Sequence, residues 1–196
     1  MRAVYPSCSP KVVSSPNSQD IDIIVMTESH SQEEVKALLV SQDPKFFLVR
    51  SRNLRATYRI VYYRLPSRGF CKVDILLPGI MDIPSVPRAC ITYTQVPDVP
   101  VMPLIAVLLL KLQGWTDHRD SEREDFQEKQ YIDVDDIREV LDILRRAHRT
   151  KTLTSESWMP PWFVRAAKWR VDEFVEAFPD TKERWRDIGF DAPVEG

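Results

Sequence analysis

Cysteine is scarce and irregularly placed. Cys8, Cys71 and Cys90 are the only three in 196 residues, an odd number at wide spacing that fits neither a disulfide framework nor a zinc motif. Such usage suits a reducing compartment. Long apolar runs are missing as well. The longest, Leu104–Leu110, is followed at once by Lys111 and falls far short of the roughly 20 residues that span a bilayer. The N-terminus lacks the apolar stretch of a signal peptide, so the expectation is a cytoplasmic or nuclear protein with no membrane partner. An excess of one charge is absent too. Lysine and arginine number 27 against 29 aspartates and glutamates, a net charge of −2, which gives no basic surplus for nucleic-acid binding over the whole surface. His30, His118 and His148 are scattered, without metal-ligand spacing or an adjacent nucleophile, and read as surface histidines. No internal repeat is visible.

What is present is ordinary globular composition, 43% apolar and 29% charged, on a chain long enough to bury a real core. Residues 1–19 are rich in serine and proline and read as a loop-like N-terminal segment. The sequence then changes to Asp20-Ile-Asp-Ile-Ile-Val25, a β-branched run that predicts a strand. Ser31 and Glu34 stand in capping-box spacing ahead of Val35, Leu38 and Leu39, which predicts a helix over 31–40. Phe46–Val49, Tyr58–Leu65 and Lys72–Leu77 read as further strands, the last stopped by Pro78-Gly79. Six prolines from Pro78 to Pro103 mark an irregular crossing between a sheet half and a helical half. Beyond it, helices are predicted over 103–115, 133–149, 160–178 and 181–188, with 116–130 as a charged loop or frayed helix end. Strands with one helix first and helices afterwards imply an α+β domain.

Side chains alternate along a strand, so Asp20 and Asp22 share one face while Ile21, Ile23 and Val25 share the other. Two carboxylates so placed repel unless a cation or water intervenes. Asp74 is a lone acid inside the apolar strand Lys72-Val-Asp-Ile-Leu-Leu77, on one face with Lys72 and Leu76. If the two strands pair, three carboxylates meet. Magnesium favours such oxygen donors, and two ions held there would suit nucleotidyl transfer. The bland alternative is that all three acids simply face water.

Asp20-Ile-Asp-Ile-Ile-Val and Val-Asp74-Ile resemble the acidic motifs of the polymerase-beta-like nucleotidyltransferase superfamily. The nearest likeness is to its minimal, abortive-infection (AbiEii-type) toxin branch. Pro103-Leu-Ile-Ala-Val-Leu-Leu-Leu-Lys111-Leu resembles that branch's apolar helix ending in lysine, and Lys129-Gln-Tyr-Ile-Asp133-Val-Asp-Asp136-Ile its Lys-Asp-x-x-Asp helix start. The resemblance covers roughly 15–145. It implies a small mixed nucleotidyltransferase-type sheet flanked by helices over 20–150, with 151–196 a helical extension packed on it. It implies that Asp20 and Asp22 bind two magnesium ions bridging an NTP. Asp74 would bind one ion and help deprotonate an acceptor hydroxyl on protein, RNA or a small molecule, and Lys111 and Lys129 would reach nucleotide phosphates. One departure is marked. The superfamily places a Gly-Ser or Gly-Gly pair about a dozen residues before the acidic pair, where amides cradle phosphate, yet no glycine precedes Gly69 and the matching region is Ser7-Cys-Ser-Pro10. The alternative to an enzyme is therefore a catalytically degenerate nucleotidyltransferase fold kept as a binding or interaction module.

Other residues have plainer accounts beside the functional ones. A lysine on an apolar stripe, like Lys111, can snorkel to water. Capping and dipole complementarity explain Asp133 and Asp136 at a helix start, and Lys129 sits in a solvated charged stretch. Trp158, Trp162, Trp169 and Trp185 suit core packing, although Arg165, Lys168 and Arg170 interleave with them as a nucleic-acid or partner surface would require.

Overall fold

The structure is a computed structural model describing residues 4–6, 20–51, 57–66, 69–93, 99–147 and 157–190. The chain divides into two compact units, Met1–Met102 and Pro103–Gly196, and the division lies at the end of the proline-rich stretch.

The first unit is built on a five-stranded mixed sheet in the order β1-β2-β5-β4-β3. Its strands are β1 (Val4–Pro6), β2 (Asp20–Val25), β3 (Phe46–Arg50), β4 (Arg59–Arg64) and β5 (Phe70–Leu76). The edge strand β1 falls where the serine- and proline-rich composition predicts loop; it pairs antiparallel with β2. β2 and β5 run parallel, whereas β5–β4 and β4–β3 are antiparallel. A parallel pair needs a crossover, and α1 (Gln32–Gln42), β3 and β4 supply it. Val35 of α1 packs with Val25, Val61, Val73, Ile75 and Leu77 in one core, with Leu39 against its edge. A short two-stranded ladder, β6 (Thr92–Tyr93) with β7 (Pro100–Val101), follows.

Helix α1 begins with the capping box that the sequence predicts. The Ser31 amide donates to Glu34 Oε2 at 2.7 Å, and the Glu34 amide donates to Ser31 Oγ at 3.3 Å. Lys36, buried on the same helix, donates to Glu33 Oε1 at 2.6 Å and to the Arg59 carbonyl at 2.8 Å. It thereby ties α1 to β4 with its charge satisfied, as burial requires. Hydrogen bonds from the Ser31 backbone, then from its hydroxyl, hold the Glu34 carboxyl below its ordinary value. A carboxyl depressed by folding stabilises above its unfolded value and loses that contribution as pH falls through the folded one. Acid titration below about pH 4.5 is therefore expected to loosen α1. Glu34→Gln, which can keep the box but cannot titrate, should remove that part of the acid sensitivity seen by circular dichroism. An unchanged acid profile in the variant would count against the box.

The second unit is helical: α2 (Leu104–Arg119), α3 (Glu124–Gln127), α4 (Lys129–Ala147), α5 (Pro161–Ala177) and α6 (Lys182–Asp187). Apolar stripes from α2, α4 and α5 meet with Trp185, Ile188 and Phe190 in a single core. α2 and α4, expected in a 20–150 domain, share this core with α5 and α6, expected as an extension packed on that domain. Two expectations need correction. The 116–130 stretch is largely helical, since α2 runs on to Arg119 and α3 follows. α4 opens at Lys129, so Asp133 and Asp136 lie inside the helix and cap nothing. Lysine, glutamate, glutamine and arginine are good helix formers, and a charged segment remains helical when one of its faces packs. Among the described residues, no helix is long and apolar enough to cross a membrane.

Candidate functional site

The parallel ladder between β2 and β5 sets Asp20 opposite Lys72, Asp22 opposite Asp74 and Ile24 opposite Leu76. Register-matched residues of a parallel pair point to the same face. Asp20, Asp22, Lys72 and Asp74 therefore share one face of the sheet. The other face carries Ile23, Val25, Val73 and Ile75 toward α1. That apolar side also holds a groove of about 140 Å³ lined by Ile23, Val25, Val35, Leu39 and Ile75 among others, with none of the acids. The polar and apolar functions of the sheet are thus separated by strand alternation alone.

Asp22 and Asp74 are like charges on directly opposed positions, an arrangement that destabilises a sheet unless neutralised. Two charges about 5 Å apart repel by about 1 kcal/mol in water and about 3 kcal/mol at an effective dielectric of 20. Lys72 supplies the neutralisation. Its Nζ donates to Asp74 Oδ2 at 2.5 Å and lies 3.9 Å from Asp20 Oδ2. Partial burial by itself lowers the Lys72 ammonium. The hydrogen bond and charge of Asp74, joined by the charges of Asp20 and Asp22, outweigh it and raise the lysine above its ordinary value. Strand alternation puts Lys72 on the Asp74 face, in a role outside the acidic motifs. A cation two residues before a lone strand acid is the signal that could have found it.

The carboxylates offer hard oxygen donors, which suit magnesium, and the structure already sets a positive charge among them. The donor set fits a divalent ion on the condition that the lysine ammonium yields its place. As the side chains stand, no three His, Cys, Asp or Glu among the described residues form a metal-binding group. Lys72→Met keeps the aliphatic stem and removes the resident cation. It is expected to raise manganese affinity about tenfold, the equivalent of one lost charge contact of about 1.4 kcal/mol. Calorimetric titration measures it; affinity equal to that of the unsubstituted chain would show that Lys72 does not compete for the carboxylates.

The remaining predicted site residues lie in the second unit. Lys111 of α2 donates to Asp136 Oδ2 of α4 at 2.7 Å, so it is an interhelical ion pair rather than a snorkelling side chain. Lys129 opens α4, its ammonium 4.9 Å from the Phe126 ring centroid. About two turns along α2, His118 Nδ1 lies 2.5 Å from Asp133 Oδ2, and its ring packs 5.3 Å from Phe126. Burial raises the Asp133 carboxyl above its ordinary value against the opposing hydrogen bond to His118. His118 is therefore not the surface histidine expected. Nothing in the spacing of His118 and Asp133 announces this pair, because it depends on how α2 and α4 face each other.

No family model and no curated protein matches this chain. Among solved structures it is similar to the crystal structure of an antigenic nucleotidyltransferase-like protein from Paracoccidioides brasiliensis. The TM-score is 0.63 at 13% identity, over 98% of this chain and 86% of that one. At that identity the likeness carries the fold: a nucleotidyltransferase-like α+β architecture. It offers no support for the abortive-infection branch in particular.

Proposed function

We propose that this nucleotidyltransferase-like fold is a metal-dependent enzyme transferring a nucleoside monophosphate from an NTP to a hydroxyl acceptor on protein, RNA or a small molecule. The observation that carries the reading is the β2–β5 register, which gathers Asp20, Asp22 and Asp74 on one face beside an ammonium. The order of the acidic strands, the apolar helix with Lys111 and the Asp133–Asp136 helix favours the minimal, AbiEii-type branch.

In this reading Asp20, Asp22 and Asp74 would hold two magnesium ions, which when bound would supply charge neutralisation of the triphosphate and a lowered pKa for the acceptor hydroxyl. Asp74 takes the proton of that hydroxyl. The acceptor oxygen then forms its bond to the α-phosphorus in line with the departing pyrophosphate oxygen, whose bond to phosphorus breaks. Lys72, released from Asp74, is free to pair with phosphate oxygens. Positioning and charge complementarity account for most of the rate. The test is incubation of the purified chain with each labelled NTP, magnesium and a cell extract, with label on an acceptor as the expected result.

A second reading has its own support. Lys72 already neutralises the acids, and no glycine stands ahead of β2 in the sequence. A fold so arranged can persist as a binding module without turnover. It predicts no label transfer with any nucleotide; labelled acceptor in the same assay rejects it.

A further inference from the structure

Helix α5 presents an exposed face made of two indole rings and cations. Its buried stripe, Phe163, Ala167, Val171 and Phe174, enters the core. On the outer side, Trp162 and Trp169 are 44% and 60% exposed, with exposed Arg165 and Lys168 between them and half-buried Arg170 beside them. Residues seven apart lie on one side of a helix, about 10 Å apart along its axis. The two rings therefore flank Arg165, with Lys168 and Arg170 about 100° round the helix from Trp169 on either side.

Outside that strip most described arginines of this unit are ion-paired, although Arg146, Lys129 and Lys182 are not. Arg119, Arg138, Arg145 and Arg184 are each matched to a carboxylate, whereas Arg165, Lys168 and Arg170 form no ion pair among the described residues. Acids do return on the next turns as Asp172, Glu173 and Glu176, so the positive region is confined to the first half of the helix. The large apolar side chains exposed on α5 are the two tryptophans alone, with no exposed Leu, Ile, Met or Phe. An interface for a folded protein centres on a buried apolar cluster. Flat rings separated by unmatched cations suit a flexible polyanion that also carries π-faces.

We infer that this face binds single-stranded nucleic acid, bases stacking on Trp162 and Trp169 and phosphates held by Arg165 and Lys168. The inference is independent of nucleotidyl transfer, and binding is measured without NTP or metal, so either reading can fail alone. The net charge of −2 does not oppose it, because phosphate attraction is local at physiological ionic strength.

The experiment is fluorescence anisotropy of a labelled oligouridylate titrated with the full chain at low salt, with a duplex DNA of equal length as comparison. Saturable binding to the single strand, weaker to the duplex, is expected. Trp162→Ala and Trp169→Ala should each weaken it about tenfold. Arg165→Gln with Lys168→Gln should reduce the slope of log affinity against log salt by about 1.4. All these side chains are exposed, so the melting temperatures should stay put and certify the variants as folded. Absence of saturable binding, or binding indifferent to all four substitutions, overturns the inference. Sedimentation showing self-association that Trp169→Ala abolishes, with no oligouridylate bound, would overturn it in favour of a second copy of the chain as occupant.

Discussion

Asp22→Asn is expected to reduce label transfer on the order of 10³-fold while leaving the fold intact. Asparagine has nearly the same shape and keeps an acceptor oxygen, so β2 can hold its register against β5. What disappears is one of the two negative charges set opposite each other by the ladder. That charge repels Asp74 across the ladder and is offset in part by Lys72. The two readouts should consequently separate: transfer collapses, and stability stays within about 1 kcal/mol of the unsubstituted chain. A carboxylate serving only the fold would not give that separation. Transfer at the original rate in the variant removes Asp22 from the chemistry, and with it the proposed use of the cluster.

Phe174→Ala is expected to cost about 3–5 kcal/mol in the helical unit. The ring is fully buried and touches three other aromatic rings. Its centroid lies 4.9 Å from that of Trp115, 4.8 Å from that of Phe178 and 6.1 Å from that of Trp185. Truncation would leave a void bounded by rigid rings that cannot collapse into it. A loss of that size approaches the whole stability of many domains. The measurement is selective. All five tryptophans, Trp115, Trp158, Trp162, Trp169 and Trp185, lie in Pro103–Gly196, so tryptophan emission under urea follows that unit. Phe174→Leu, which refills part of the space, should lose markedly less. A change below about 1 kcal/mol for the alanine variant would mean that the aromatic cluster does not hold this core together.

Local pattern carried the elements whose signal is contained in a few neighbouring residues. The period-two run at Asp20–Val25 became β2, and Ser31 with Glu34 capped α1. The stripe of Phe163, Ala167, Val171 and Phe174 became the inner face of α5. The placement of Asp20 and Asp22 on one face follows from alternation and needs no fold. The helix through 116–119 and the opening of α4 at Lys129 escaped pattern reading. Thr116, Asp117 and His118 are weak helix formers and neither stretch carries an apolar stripe strong enough to declare it, so packing of α2 and α4 completes what propensity leaves undecided.

The sequence alone determined which carboxylates could carry the chemistry: an acidic pair and a lone strand acid. Tertiary structure decided whether they meet. Asp22 and Asp74 are 52 positions apart in the chain, and only the parallel docking of β5 on β2 sets them opposite each other. The same holds for Lys111 with Asp136 and His118 with Asp133, pairs that exist because two helices present particular faces to one another. Strand alternation and helix capping are short-range and are written in adjacent residues. Charge pairing between elements depends on distance in space, and no local pattern encodes that distance.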